Sequence, residues 1–168
     1  VNPLPTVSFS ADTNMGCSPL CVKFTNLSTP NSTSSDWLFG DGNTATTITS
    51  TTNCYHNAGD FTVKLIVTDS LGCQNTASVT DMRIVFQTPI AAFSMAPQLA
   101  IIIDPTVYFT DHSTGGVNQW EWNFGDVTNS SSNLQNPQYT YSDTGYYNVQ
   151  LIVTNSQGCI DRISKVVY

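Results

Sequence analysis

The sequence predicts an all-β protein built as two tandem β-sandwiches. Three observations carry this. One long motif occurs twice, at an offset of about 85 residues, so the repeating unit is a whole small domain, longer than the units that stack into solenoids. Runs such as Phe61–Thr68 alternate apolar and polar residues with a period of two, which turns one face inward. Gly, Asn, Asp and Pro clusters separate the runs, and no stretch carries the 3.6-residue stripe of a helix.

The elements follow in order. In the first copy the expected strands are Val7–Ser10, Leu20–Asn26, a strand carrying Trp37 and Phe39 on one face, Ile48–Thr52, Phe61–Thr68 and Ser78–Phe86. In the second they are Ala91–Met95, Thr106–Asp111, a strand through Trp120, Trp122 and Phe124, the run Tyr147–Val153, and Arg162–Tyr168. Ser28–Ser35 and Thr128–Asn136 read as polar loops at equivalent places. The joint falls near Phe86-Gln87-Thr88-Pro89, giving domains 1–87 and 88–168. A joint this short, containing Pro, restricts the angle between copies and predicts a semi-rigid rod.

Composition narrows the function. Charged residues are 10% of the 168, against about 25% in ordinary domains, and Ser, Thr and Asn replace them. Five Lys and Arg against a net charge of -7 leave too few cations to neutralise phosphates, which excludes nucleic acid as a partner. No apolar run reaches the roughly 20 residues that cross a bilayer. The chain opens on Val1-Asn2-Pro3, without a basic start or an apolar stretch, and reads as a segment of a longer polypeptide.

Cys17, Cys21, Cys54 and Cys73 lie in the first copy and Cys159 in the second. Four cysteines in a small secreted domain suggest two disulfides, with three possible connectivities. The favoured pairing is Cys17–Cys73 with Cys21–Cys54. Cys17 is placed in the turn before the second strand and Cys73 in the turn after Phe61–Thr68. Zinc is the competing reading, but the C-x3-C of Cys17 and Cys21 has no second ligand pair. Cys159 has no partner in its own copy and is expected to be either a buried free thiol or paired outside this segment.

Catalytic signatures are missing from the sequence. His56 and His112 fall at unrelated points of different copies, no H-E-x-x-H or G-x-S-x-G occurs, and Glu121 is the single glutamate. The expectation is no enzyme activity. Trp37 and Trp122 are placed in the core. Trp120 is the better candidate for a sugar-stacking platform, against packing as the plainer role. Gly40 and Gly125 are expected to supply backbone freedom, and Asp41 and Asp126 to cap turn amides. Asp12, Asp36, Asp60, Asp69, Asp104, Asp111, Asp143 and Asp161 lie in or near expected turns, where calcium would find hard oxygen ligands. No D-x-D-x-D-G loop is present, so no cofactor is expected, and calcium is the candidate ion for these carboxylates. Asn26, Asn31 and Asn129 open N-x-S/T triplets.

The residues Trp37-Leu38-Phe39-Gly40-Asp41-Gly42, Tyr55, Gly59 and Phe61–Thr68 resemble the PKD (polycystic kidney disease) domain. The second copy matches through Trp122, Phe124, Gly125, Asp126, Tyr141, Gly145, Tyr147, Val149, Leu151 and Val153. Val127 stands where the family usually has a second Gly. The resemblance implies an immunoglobulin-like sandwich of about seven strands in two sheets. Gly16-Cys17-Ser18-Pro19 and the closing Gly158-Cys159-Ile160-Asp161 are similar to PKD repeats of large secreted Bacteroidetes proteins, which implies type IX secretion and a cell-surface or extracellular location. Asp69-Ser70-Leu71 is similar to the short O-glycosylation sequon of such proteins, with a plain turn as the alternative. The function expected is a non-catalytic spacer or adhesion module. The alternatives are a polymer-binding appendage of a secreted hydrolase and a self-assembling filament or surface-layer subunit. Partners would be neighbouring domains, a surface polysaccharide or protein, or copies of the chain.

Overall fold

The computed structural model describes residues 3–29, 32–97 and 105–167. The described residues form strands and turns, with no helix, in two compact units, Val1–Gln87 and Thr88–Tyr168.

Unit 1 contains β1 (Phe9–Ala11), β2 (Met15–Cys17), β3 (Leu20–Asn26), β4 (Ser32–Leu38), β5 (Thr44–Thr46), β6 (Ser50–Tyr55), β7 (Gly59–Asp69) and β8 (Gln74–Phe86). They form a three-stranded sheet, β1-β3-β6, and a five-stranded sheet, β2-β8-β7-β4-β5. Unit 2 contains β9 (Phe93–Ala96), β10 (Thr106–Asp111), β11 (Val117–Asn123), β12 (Ser131–Ser132), β13 (Gln138–Thr140), β14 (Tyr147–Asn155) and β15 (Ile160–Val167). Its sheets are β13-β10-β9 and β12-β11-β14-β15.

Period-two alternation builds both cores. Along β7, Val63, Leu65 and Val67 are fully buried, and along β14 so are Val149, Leu151 and Val153. Trp37 and Trp122 come from the neighbouring strands β4 and β11 of the same sheets, also with no exposed surface. Aromatic rings tie the two sheets of each unit together. Trp37 meets Phe9 edge-on at 5.4 Å and Phe24 at 5.8 Å. Trp122 meets Phe93 at 5.0 Å and Phe109 at 5.4 Å. Such pairs add about 0.5–1.5 kcal/mol beyond the area they bury.

The main hairpin of each unit is closed by one side chain. Asp69 Oδ1 accepts the N–H groups of Leu71 and Cys73 at 2.9 and 2.8 Å. Asn155 Oδ1 accepts those of Gln157 and Cys159 at 3.1 and 3.0 Å. Gly72 and Gly158 both take φ of 81°. The tight turn lets β8 start at Gln74, four residues before the expected Ser78. Asp69-Ser70-Leu71 is therefore a hairpin turn.

Three expectations are corrected. Met15–Cys17 is a strand, not a turn; it runs parallel to the end of β8, with Cys17 opposite Phe86. Ser32–Ser35 belongs to β4 and not to a loop: Ser35 is buried beside Trp37 in the alternation, where its hydroxyl accepts the Asn26 Nδ2–H at 3.0 Å. The two polar stretches are also not equivalent, since Ser28–Ser35 leads into the tryptophan strand and Thr128–Asn136 follows it. Pro30 and Asn31 of the first, and Tyr168 at the end of the last expected strand, lie outside the described residues.

Candidate functional site

The Phe-Gly-Asp turn is the most elaborated local structure in each copy. Gly40 takes φ of 84° and Gly125 of 73°, a region that L side chains avoid. Space forbids a side chain as well. A Cβ on Gly40 would lie 2.6 Å from the Thr62 carbonyl oxygen, and one on Gly125 would lie 2.5 Å from that of Asn148. A buried phenol seals each turn from inside: Tyr55 donates to the Phe39 carbonyl at 3.1 Å, and Tyr141 to that of Phe124 at 3.0 Å. Burial, reinforced by Tyr139, Tyr147 and Asp126, pushes the Tyr141 phenol far above its ordinary range.

The carboxylates that follow organise the loops. Asp41 accepts the Asn43 N–H at 3.0 Å through Oδ1, and the amides of Asn43 and Asn53 at 3.0 and 2.7 Å through Oδ2. Asp126 accepts the Ser130 N–H at 2.7 Å, the Ser130 hydroxyl at 2.8 Å, the Tyr139 phenol at 2.9 Å and the Thr128 hydroxyl. The Thr128 hydroxyl first, then Ser130 and Tyr139, hold the Asp126 carboxyl well below the usual carboxylate range. Each Asp is thus filled by donors of its own loop and of one strand, Asn53 of β6 for Asp41 and Tyr139 of β13 for Asp126. The second turn is longer: Phe39 N–H reaches the Asn43 carbonyl, whereas Phe124 N–H reaches that of Ser130. This explains Val127. The left-handed residue that Gly42 supplies in the first copy is Asn129 in the second, with φ of 54°, and Val127 is fully exposed.

Trp120 is half-buried and packs against the core, with its indole N–H donated to Asp111 Oδ2 at 2.8 Å. Burial alone would raise the Asp111 pKa, but donors from Ser113, Gln135 and Trp120 outweigh it and hold the carboxyl below its ordinary value. The Asn26 side chain is committed to Ser35, Ile48 and Ser28, which leaves its amide nothing to offer a glycan. Asn129 is exposed, and Asn31 lies outside the described residues. Among the described residues, no three His, Cys, Asp or Glu side chains gather to hold a metal ion.

Cys21 and Cys54 face each other across β3 and β6 and form a disulfide. Cys73 keeps a free thiol, so the expected Cys17–Cys73 bridge is not formed. The reason is the length of β8. Cys73 immediately precedes Gln74 at its start and Cys17 pairs with Phe86 at its end. That is roughly 40 Å at about 3.3 Å per residue, against the ~7 Å between Cα atoms that a disulfide tolerates.

The contacts of Tyr139 and Asn53 with the turn carboxylates were not foreseen from the sequence. The only hint is the polar spacing after each Asp: Asp41-x-Asn43, and Asp126-x-Thr128-x-Ser130.

The profile of the PKD domain family matches residues 1–85 and again 88–168. Among solved structures, the chain is similar to the PKD1 domain of Vibrio anguillarum Epp, with 24% identity over 49% of this chain and 93% of that one, at a TM-score of 0.43. The PKD1 domain of the Vibrio cholerae metalloprotease PrtV gives 23% identity over 48% and 94%, at 0.41. A Methanosarcina mazei protein gives 37% identity over 50% and 55%, at 0.37.

Proposed function

Because the chain belongs to the PKD domain family in both of its halves, we propose that it serves as a non-catalytic spacer and interaction module of a larger cell-surface or secreted polypeptide. The observation that carries this reading is what the family's signature residues do. Trp, Phe, Gly, Asp and Tyr of both copies are committed to the core and to the turn over it, so the repeated motif maintains a sandwich and leaves binding to other surfaces. The Cys21–Cys54 disulfide supports an oxidising, extracellular setting, and the sparsely charged, Ser/Thr/Asn-rich composition agrees with it. Neighbouring domains of the same polypeptide are the first partners; a surface polysaccharide or protein is the second.

The test replaces residues 1–168 in the parent polypeptide with an unrelated pair of sandwich domains of equal length. Restored surface attachment supports the spacer role. Attachment that fails with the substitute and returns only with the native segment assigns the role to binding. Turnover of a polymeric substrate by this chain alone would overturn the non-catalytic reading.

A further inference from the structure

A groove of about 400 Å³ opens on the outward face of the β12-β11-β14-β15 sheet. It is lined by Asn118, Gln119, Glu121, Asn133, Ile152 and Thr154; Trp120 contributes as well, its indole N–H already held by Asp111. The fold places these groups. Inward Trp122, Leu151 and Val153 force Glu121, Ile152 and Thr154 outward. A register shift between Val117 and Gln119 then leaves both Asn118 and Gln119 exposed, as bulges do when they re-aim a side chain.

The same positions in the first copy are closed. The bulge residue there is Thr33, whose hydroxyl folds back on the Thr68 and Asp69 carbonyls at 3.2 and 3.1 Å. Asp36, in the place of Glu121, accepts the Thr46 hydroxyl at 3.1 Å from the neighbouring strand. In the second copy Asn133 takes the place of Thr46, and no described protein group hydrogen-bonds the side chains of Asn118, Gln119, Glu121 or Asn133. Groups that satisfy one another in one copy are left facing solvent, and converge, in the other.

We propose that this groove binds a neutral polysaccharide chain. Carboxamides both donate and accept, and a carboxylate accepts from two donors at once, which matches the paired hydroxyls of a sugar ring. The exposed edge of Ile152 gives the ring's C–H face an apolar contact. The volume falls within the ~300–1,000 Å³ of ligand sites, and a few placed polar groups fix orientation in such sites. The lining holds a carboxylate and no cation; Arg162, the partner of Ile152 on β15, is not among the lining residues. Anionic polymers are thereby disfavoured. The proposal deepens the interaction half of the proposed function and rests on it, whereas a spacer alone needs no groove.

The test is a titration of the intact chain, followed by amide NMR shifts. The probes are soluble hexasaccharides of β-1,4-glucan, β-1,4-N-acetylglucosamine, β-1,3-glucan and α-mannan, with a heparin fragment and a Gly-Pro-Hyp peptide as controls. At least one neutral glycan should shift the amides of Gln119–Glu121 and Ile152–Thr154 while leaving Ser34–Asp36 and Ile66–Thr68 in place. Joint Gln119→Ala and Glu121→Ala substitution should weaken that binding at least tenfold with the rest of the spectrum unchanged, and Asn118→Ala should weaken it less. No shift with any neutral glycan, shifts only with heparin or the peptide, shifts elsewhere, or undiminished binding by the double variant would each overturn the proposal.

Discussion

Strands β4 and β11 hold the same place in the two copies and share their inward tryptophan, yet their outward sides differ. In β4 the polar groups are paired within the protein, Thr33 to β7 and Asp36 to β5. In β11 the corresponding Asn118 and Glu121 line an open groove. The two Phe-Gly-Asp turns differ in the same manner: an identical glycine and tyrosine frame carries loops of different length and different donors. Inward residues are fixed by packing against a common core, where a change of one methylene is felt. Outward residues are free to vary, and any individual role of a copy has to lie there.

Substitutions in the core should bring out the likeness most strongly. Trp37→Ala and Trp122→Ala should each cost about 3–5 kcal/mol, as fully buried aromatic truncations do, each within its own copy by urea denaturation followed with peptide-resolved hydrogen exchange. Trp120→Ala should cost clearly less, because Trp120 is half-exposed; an equal cost would break the distinction drawn between Trp120 and Trp122. Removing the Cys21–Cys54 bridge should then distinguish the copies. The Cys21–Cys54 bridge spans 33 residues, and opening it with Cys21→Ala and Cys54→Ala should lower the stability of the first copy by about 3–4 kcal/mol on the chain-entropy view. Alkylation without reductant should mark Cys73, and peptide mapping should recover Cys21 and Cys54 linked.

Smaller effects sharpen the comparison. Tyr55→Phe and Tyr141→Phe each remove one buried hydrogen bond and leave a carbonyl unsatisfied, at about 1–3 kcal/mol. The two losses should be equal, since the contacts differ by only 0.1 Å. Acid should act on the second turn through Asp126. Its folded pKa is depressed, so its contribution is complete above the unfolded value near ~3.9 and is lost as pH falls toward the folded one. Protection factors of the loop amides 126–130, taken against the intrinsic exchange rate at each pH, should fall below about pH 4, and Asp126→Asn should abolish that fall.

Strands with clean alternation were legible in the sequence. Leu20–Asn26 and Thr106–Asp111 have the expected bounds, and Phe61–Thr68 needed only a residue or two at each end. β2 was not legible, because Met15-Gly16-Cys17 is too short to show a period and its partner lies about 70 residues away, as distant parallel pairing allows. That miss led to the mistaken Cys17–Cys73 pairing, since placing both cysteines in turns concealed that they sit at opposite ends of β8. The roles of Gly40, Gly125, Asp41 and Asp126 could be read from residue type, because few residues tolerate a left-handed turn or cap its amides. The Tyr139 contact to Asp126 depends on β13, a three-residue strand with no pattern of its own. The groove rests on a bulge, and a bulge leaves no mark in the sequence.

The repeated Gly-Asp turn holds each sandwich together. Hydrogen exchange resolved by peptide, on the intact chain carrying Gly40→Ala or Gly125→Ala, tests it most directly. The prediction is that Gly125→Ala raises exchange across β11 and β14 and leaves β4 and β7 protected, with the reverse for Gly40→Ala, because each added Cβ meets a backbone carbonyl at 2.5–2.6 Å. Unchanged protection in both variants would contradict the claim and reopen the turn as a site kept for binding.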